Sequence, residues 1–162
     1  MKNFQENVEI RGLDAVSIFF ASFLAGLNTY GILNQAVVNK AAERAGEHLA
    51  RFALLDGPPQ DTENKLQAAV DKLRGLLRVS KGMQSFTSGN SGAVSIQATT
   101  CRFCPKGVGE AELKGTLCPF PALVKSFYNV YWGTGTLEIH KNPSEPMLKR
   151  EGDHCIFEYD IK

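Results

Sequence analysis

Three of the four cysteines fall in one short stretch, and the fourth lies far along the chain. Cys101 and Cys104 form a Cys-x-x-Cys pair, Cys118 directly precedes Pro119, and Cys155 lies near the end of the sequence. Two thiolates separated by two residues can converge on one ion at the roughly 2.3 Å bond length of zinc. Because no other cysteine occurs, one shared site is the simplest interpretation, and Cys155 must reach it through tertiary folding. The sequence therefore predicts a metal site held by Cys101, Cys104, Cys118 and Cys155.

Three other interpretations of these cysteines stay open. Free cysteine is often buried as a small hydrophobic side chain. A redox dithiol at Cys101 and Cys104 would use a lowered thiol pKa, but Pro105, Gly107 and Gly109 follow this pair and show no helical pattern. An iron–sulfur cluster needs the same four thiolates, although the compact ferredoxin spacing is missing. Zinc is therefore the favoured cofactor, and an iron–sulfur cluster is the alternative.

Length and composition predict an ordinary globular chain with a single domain over residues 1–162. A chain of 162 residues can bury roughly 70% of the surface that it exposes when unfolded. A net charge of +1 gives no electrostatic reason to expect a nucleic-acid partner. Charged residues precede the first apolar run, which is unlike a secretory signal peptide. Together with a Cys-x-x-Cys pair, this favours reduced thiols and a cytoplasmic location.

Residues 15–39 contain no charged side chain, which is long enough to span a bilayer. Asn28, Thr29, Asn34 and Gln35 interrupt the run, so we expect two helices and no membrane span. The first helix, over 15–27, is apolar nearly all round. Such a helix needs a central position or a subunit interface, and we expect a homodimer whose contact involves it.

The remaining pattern predicts an α+β fold with an antiparallel four-stranded sheet packed with about four helices, because helices come first and strands later. The N-terminal helices occupy 14–79, and the sheet and the metal-binding Cys-x-x-Cys segment occupy 83–162. Asp14 and Asp61 are the expected N-caps of the first and third helices. The predicted helices are 15–27, 32–55, a third after Asp61, and 119–131; the predicted strands are 83–87, 93–100, 136–140 and 155–161.

Three short motifs carry a resemblance to a known family. They are the small-residue helix over 41–50, the helix start Cys118-Pro119-Phe120, and the closing segment Gly152-Asp153-His154-Cys155-Ile156-Phe157. This pattern, from about Ile32 onward, resembles the 4-vinyl reductase domain, whose stand-alone members are called hydrocarbon-binding proteins.

The resemblance implies a fold like the small subunits of the TRAPP vesicle-tethering complex, usually as a homodimer with a closed apolar pocket. Related domains sense phenolic compounds and bind zinc through cysteines and a glutamate. By this resemblance Cys155 is a zinc ligand, while a second family cysteine falls at Met147 and is missing here. Cys101, Cys104 and Cys118 would replace it, and Glu145 is a further oxygen ligand of lower rank.

These observations favour a module that binds a small apolar molecule beside a structural, cysteine-ligated zinc. The candidate pocket aromatic residues are Phe19, Phe23, Phe127, Tyr131 and Trp132, each of which also fits plain core packing. One alternative, from the family name, is a metal-dependent enzyme of the vinyl-reductase type acting on an apolar or tetrapyrrole substrate. No Gly-x-Gly-x-x-Gly nicotinamide motif supports it. A scaffold subunit like those of the TRAPP complex is the third hypothesis.

Overall fold

The computed structural model describes residues 4–104, 108, 117–142 and 146–162, which form an α+β fold with an antiparallel sheet. Its elements, in chain order, are α1 (Phe4–Arg11), α2 (Ala15–Thr29), α3 (Gln35–Ala53), α4 (Lys65–Leu77), β1 (Met83–Ser88), β2 (Ser91–Gln97), α5 (Phe120–Trp132), β3 (Leu137–Ile139), β4 (Lys149–Glu151) and β5 (His154–Ile161). Short 3-10 helices cover Leu54–Asp56 and Ala98–Thr100.

The sheet is organised around β5, its longest strand. Strands β1, β2, β5 and β3 lie side by side in that order, and β4 pairs with β5 as well. All pairings are antiparallel. A tight turn at Gly89 and Asn90 joins β1 to β2, and Gly89 has a φ of 56°. A positive φ at the first central residue is what a type II′ hairpin turn requires, and glycine adopts it without strain.

Helix α5 forms the centre of the core, because its N-terminal half is buried almost completely. It packs against α3, where Gly46 lets the two backbones approach closely. It also packs on the sheet, where the Tyr159 hydroxyl donates a 2.9 Å hydrogen bond to the carbonyl of Pro121. Helix α4 covers β1, and its Gln67 side chain accepts a 2.8 Å hydrogen bond from the backbone N–H of Ser85.

Several predicted details differ from the structure. Within the described residues the sheet has five strands, because the short strand β4 joins it, and α1 was not predicted. The predicted cap Asp61 is wrong: Asn64 caps α4 and accepts a 3.0 Å hydrogen bond from the backbone N–H of Gln67. The strand predicted over 93–100 ends at Gln97, where the chain turns into a 3-10 helix.

Helix α2 lies at the surface rather than at the centre. Asp14 caps it as predicted, accepting a 2.8 Å hydrogen bond from the backbone N–H of Ser17. Its outward side leaves Val16, Phe19 and Phe23 exposed by 75%, 68% and 54%. Among the residues that the structure describes, no helix is long and apolar enough to cross a membrane.

Candidate functional site

A cavity of about 430 Å³ lies where α1, the N-terminus of α5 and the β2–β5–β4 side of the sheet meet. Its described lining is largely apolar, with four thiols and a few polar groups. The lining residues are Asn7, Ile10, Arg11, Ile96, Ala98, Thr99, Cys101, Phe103, Cys104, Leu117, Cys118, Pro119, Phe120, Leu148, Arg150 and Cys155.

All four cysteines line this one cavity, although they come from three parts of the chain. Cys101 and Cys104 follow the 3-10 helix at the end of β2, and Cys118 comes just before α5. Cys155 lies on β5, directly opposite Ile96 of β2. The antiparallel pairing of β2 with β5 is therefore what carries Cys155 to the other three thiols.

The surroundings of Cys101 and Cys118 favour the neutral form of these two thiols. Burial and, after it, the electrostatic effect of Cys104 raise the pKa of Cys101 to about 12. Burial also raises the pKa of Cys118 well above its ordinary value, with added electrostatic effects from Cys101, Cys104 and Cys155. None of the four cysteines is in a disulfide.

The donor chemistry fits zinc, since soft thiolates select zinc and iron–sulfur clusters. The geometry is less complete: in the described part of the chain, no group of three or more histidine, cysteine, aspartate or glutamate side chains is arranged to hold a metal ion. Glu145 lies outside the described residues. The four-thiolate metal site therefore stays a prediction, and the shared cavity is what supports it.

The five expected pocket aromatic residues lie elsewhere. Phe19 and Phe23 stack on each other at 5.9 Å between ring centroids on the exposed side of α2. Phe127 is fully buried and stacks on Tyr131 at 5.2 Å, and Trp132 donates a 3.1 Å hydrogen bond to the carbonyl of Lys65. These three residues belong to the packing of α5 rather than to the cavity.

Phe103 and Phe120 are the aromatic residues that do line the cavity. Their rings meet edge to face at 5.6 Å, and Phe20 of α2 meets Phe103 in the same way at 5.4 Å. Both lining residues lie within two positions of a cysteine in the sequence, and this proximity was a signal that could have found them. No comparable signal marked α1, whose Arg11 donates a 2.9 Å hydrogen bond to the carbonyl of Cys104.

Comparison with known proteins places this chain in a family. The model of the MJ0207 family matches residues 31–161. The chain belongs to the MJ0207 family. A 33-residue segment is also 42% identical to the Uncharacterized protein MJ1342 of Methanocaldococcus jannaschii. That match covers 20% of this chain and 29% of the relative, so the chain spans less than a third of the relative's length. No solved structure matches the chain.

The part of the chain that matches the MJ0207 family contains all four cysteines and the whole sheet. Helices α1 and α2 precede it, yet Asn7, Ile10 and Arg11 of α1 complete one wall of the cavity. The resemblance to the 4-vinyl reductase domain remains a hypothesis, because neither the family nor the relative is described by that name.

Proposed function

We propose that this protein binds a small apolar molecule in the cysteine-lined cavity. The observation that carries the proposal is the size and lining of the cavity: about 430 Å³, walled by side chains such as Ile96, Phe103, Phe120 and Leu148. Ligand pockets have volumes of roughly 300–1,000 Å³ and mostly apolar walls. Burying a ligand's apolar surface there contributes roughly 25 cal/mol of binding free energy per Å². This burial can drive binding without a catalysed reaction.

Two alternatives fit the cavity less well. The enzyme hypothesis would need a general acid or base, and the described lining contains no histidine, aspartate or glutamate. Four thiols are the observation that favours it, because a catalytic zinc with three protein ligands would leave one position open. The scaffold hypothesis predicts a solid core, and a cavity of this size argues against it.

The proposal includes a zinc ion bound by Cys101, Cys104, Cys118 and Cys155. When bound, zinc would act as a structural cross-link between β5 and the segment that precedes α5. The support is that all four thiols line one cavity and that none forms a disulfide. Because free thiols persist in a reducing compartment, we place the protein in the cytoplasm. An iron–sulfur cluster would use the same ligands and would give the protein a visible colour.

A fold like the 4-vinyl reductase domain and the TRAPP small subunits is also part of the proposal. Two of the motifs that suggested it lie at expected places: Phe120 begins α5, and a turn at Gly152 leads into β5. Tests of ligand and metal binding do not depend on this relationship.

We further propose that a second copy of the chain covers the exposed side of α2. Val16, Phe19 and Phe23 follow one face of this helix, Tyr30 comes directly after its end, and all four are 54–81% exposed. Large aromatic side chains expose up to about 150–250 Å² each, so the patch reaches several hundred Å², a size that usually marks an interaction site. A two-fold interface brings equivalent surfaces together, and a helix without charges suits this because it creates no like-charge pairs.

Ligand binding can be tested with butylbenzene as the probe and an Ile10→Trp variant that fills the cavity. Ile10 lines the cavity and is partly exposed, so a larger side chain there can be accommodated. Leu55→Trp is the matched control, because Leu55 is 80% exposed and lies away from the cavity. At a ligand concentration of 100 times Kd, binding stabilises the fold by about 2.7 kcal/mol, which raises the melting temperature by about 5–11 °C.

We expect this shift in the wild type and in Leu55→Trp, and its loss in Ile10→Trp. Native mass spectrometry of freshly purified protein would show any retained apolar molecule together with the metal and the oligomeric state. No shift with butylbenzene and no retained molecule would contradict the binding proposal and favour the scaffold hypothesis.

A further inference from the structure

We infer that the ligand carries an anionic head group and that Arg150 binds it. The inference rests on the proposed function, because it concerns the same cavity and names the class of ligand: an amphiphile with an apolar tail and a carboxylate. Two observations support this assignment: the position of Arg150 on the sheet and the sign of the charged side chains around the cavity.

Arg150 belongs to a row of side chains that crosses the sheet. Arg150 of β4 lies opposite Cys155 of β5, and Cys155 lies opposite Ile96 of β2. Residues directly opposite each other in antiparallel strands project to the same face, with Cβ atoms about 4.5–5.5 Å apart. All three residues line the cavity. Ile96 is buried, whereas Arg150 is exposed, so the row runs from an apolar interior to a cationic rim.

Apart from the four thiols, which a bound zinc would hold as thiolates, the ionic side chains at the described part of the lining are of one sign. Arg11 and Arg150 both line the cavity, and no carboxylate does so among the described residues. Arg11 is already engaged, through its hydrogen bond to Cys104 and other interactions. Arg150 donates a hydrogen bond through Nε to the carbonyl of Gly152 at 3.5 Å. Its two terminal amino groups form no hydrogen bond with any described residue.

A guanidinium group at the rim of an apolar cavity suits an amphiphilic carboxylate. Its terminal amino groups match the two oxygens of a carboxylate in a bidentate arrangement. An apolar tail would occupy the space between Ile96, Phe103 and Phe120, and the head group would stay at the partly hydrated rim. A neutral hydrocarbon would fill the space between the apolar walls but would form no ionic contact with Arg150.

The test compares octanoate with 1-octanol, which share the same tail, by isothermal titration calorimetry on the protein as purified. We expect the wild type to bind octanoate about three- to tenfold more tightly, because exposed charge pairs contribute modestly and bidentate pairs contribute more. The preference should shrink at high salt, since screening weakens a charge pair at the rim. Arg150→Gln should remove the preference by weakening octanoate binding, and retained 1-octanol binding together with a wild-type circular dichroism spectrum would show that the variant folds.

Arg44→Gln is the matched control, because Arg44 is an exposed arginine on α3 that does not line the cavity. It should keep the preference. Equal affinities of the wild type for the two probes would overturn the head-group inference and leave the binding proposal standing. Absence of binding for both probes would instead contradict the proposed function. An Arg150→Gln variant that loses metal but keeps the preference would assign Arg150 to the thiolates and overturn the inference.

Discussion

At the scale of single residues, Cys101 and Cys118 are held in an environment that opposes their ionisation. Burial raises the pKa of both thiols, whereas zinc binds the thiolate form. A bound ion would therefore have to contribute enough free energy to remove these protons, so each ligand matters to the stability of the holoprotein.

Changing Cys104 to serine should lower the metal content and the thermal stability together. Serine is a poor zinc ligand, and the binding free energy of a structural zinc is part of the folding free energy. A loss of only about 2 kcal/mol would lower the melting temperature of a chain of this size by about 4–8 °C. Inductively coupled plasma mass spectrometry and thermal melting would measure both effects.

Treatment with a chelator provides the control for this variant. After metal removal, the wild type and Cys104→Ser should melt at similar temperatures. A wild type that keeps one metal per chain while only two of the four cysteines bind it would show that the four-thiolate assignment is wrong.

Asp14 should give α2 a stability that depends on pH. Hydrogen bonds from the backbone N–H and the hydroxyl of Ser17 lower the pKa of Asp14 from 3.8 to about 2, and Arg102 at 2.7 Å adds to this effect. A carboxyl group whose pKa is lower in the folded state stabilises the fold above its unfolded pKa. This contribution is present at pH 7 and is lost as the pH falls from about 4 to about 2.

Asp14→Ala should therefore melt at a lower temperature than the wild type at pH 7, and the difference should disappear near pH 2. Circular dichroism melts across this pH range would measure it. Asp61→Ala is the control, because Asp61 is exposed and does not cap α4. A difference between Asp14→Ala and the wild type that stays constant down to pH 2 would contradict this role of the Asp14 carboxylate.

At the scale of elements, the contact between α3 and α5 depends on the absence of a side chain at Gly46. A Cβ atom there would lie 2.5 Å from the carbonyl oxygen of Leu123 and 3.0 Å from the backbone nitrogen of Phe127. These are backbone atoms of a buried helix, so they cannot move aside without separating the two helices. The cavity is affected as well, because Phe120 lies at the start of the same helix.

Gly46→Ala should destabilise the protein by about 1–2 kcal/mol, although alanine is the better helix former. Overpacking a core costs about 1–3 kcal/mol, which exceeds the gain of up to about 1 kcal/mol in helix propensity. Gly75→Ala is the matched control on α4, since a Cβ atom at this position would meet nothing within 4 Å, and it should be neutral or stabilising. Urea denaturation would measure both, and a stabilised Gly46→Ala would contradict the close packing.

At the scale of the whole molecule, α1 and α2 both precede the family-matched region. Helix α1 supplies Ile10 and Arg11 to the cavity, and the outward side of α2 exposes Phe19 and Phe23. A partner on the outer side would therefore bind next to the wall of the ligand site.

The double variant Phe19→Glu/Phe23→Glu should be monomeric, whereas the wild type should sediment as a dimer at micromolar concentration. A two-fold contact would bring these new carboxylates together in a buried interface, which is strongly unfavourable. Phe86→Glu is the control, because Phe86 is an equally exposed aromatic residue on β1. A wild type that sediments as a monomer would show that α2 tolerates its exposed side without a partner.

The sequence by itself determined the α+β class and the order of most helices and strands, but it revealed neither α1 nor β4. Periodicity, caps and turns depend on residues within about four positions of each other, so Asp14 and the β1–β2 turn could be recognised from their neighbours alone. The cysteine spacing likewise indicated one shared location. Local signals could not decide between nearby candidates. Asp61 and Asn64 both suit an N-cap, and only the folded structure shows that Asn64 caps α4.

Only the tertiary structure decided which side chains face the cavity. Helix α2 carries three phenylalanines, of which Phe20 packs against Phe103 while Phe19 and Phe23 stay exposed. Phe127 lies on the buried side of α5, in the core. The direction of a side chain follows from which distant elements meet, and helix propensity does not encode that. For the same reason the row from Arg150 to Ile96 appeared only once the strands were paired, since register is a property of two strands together.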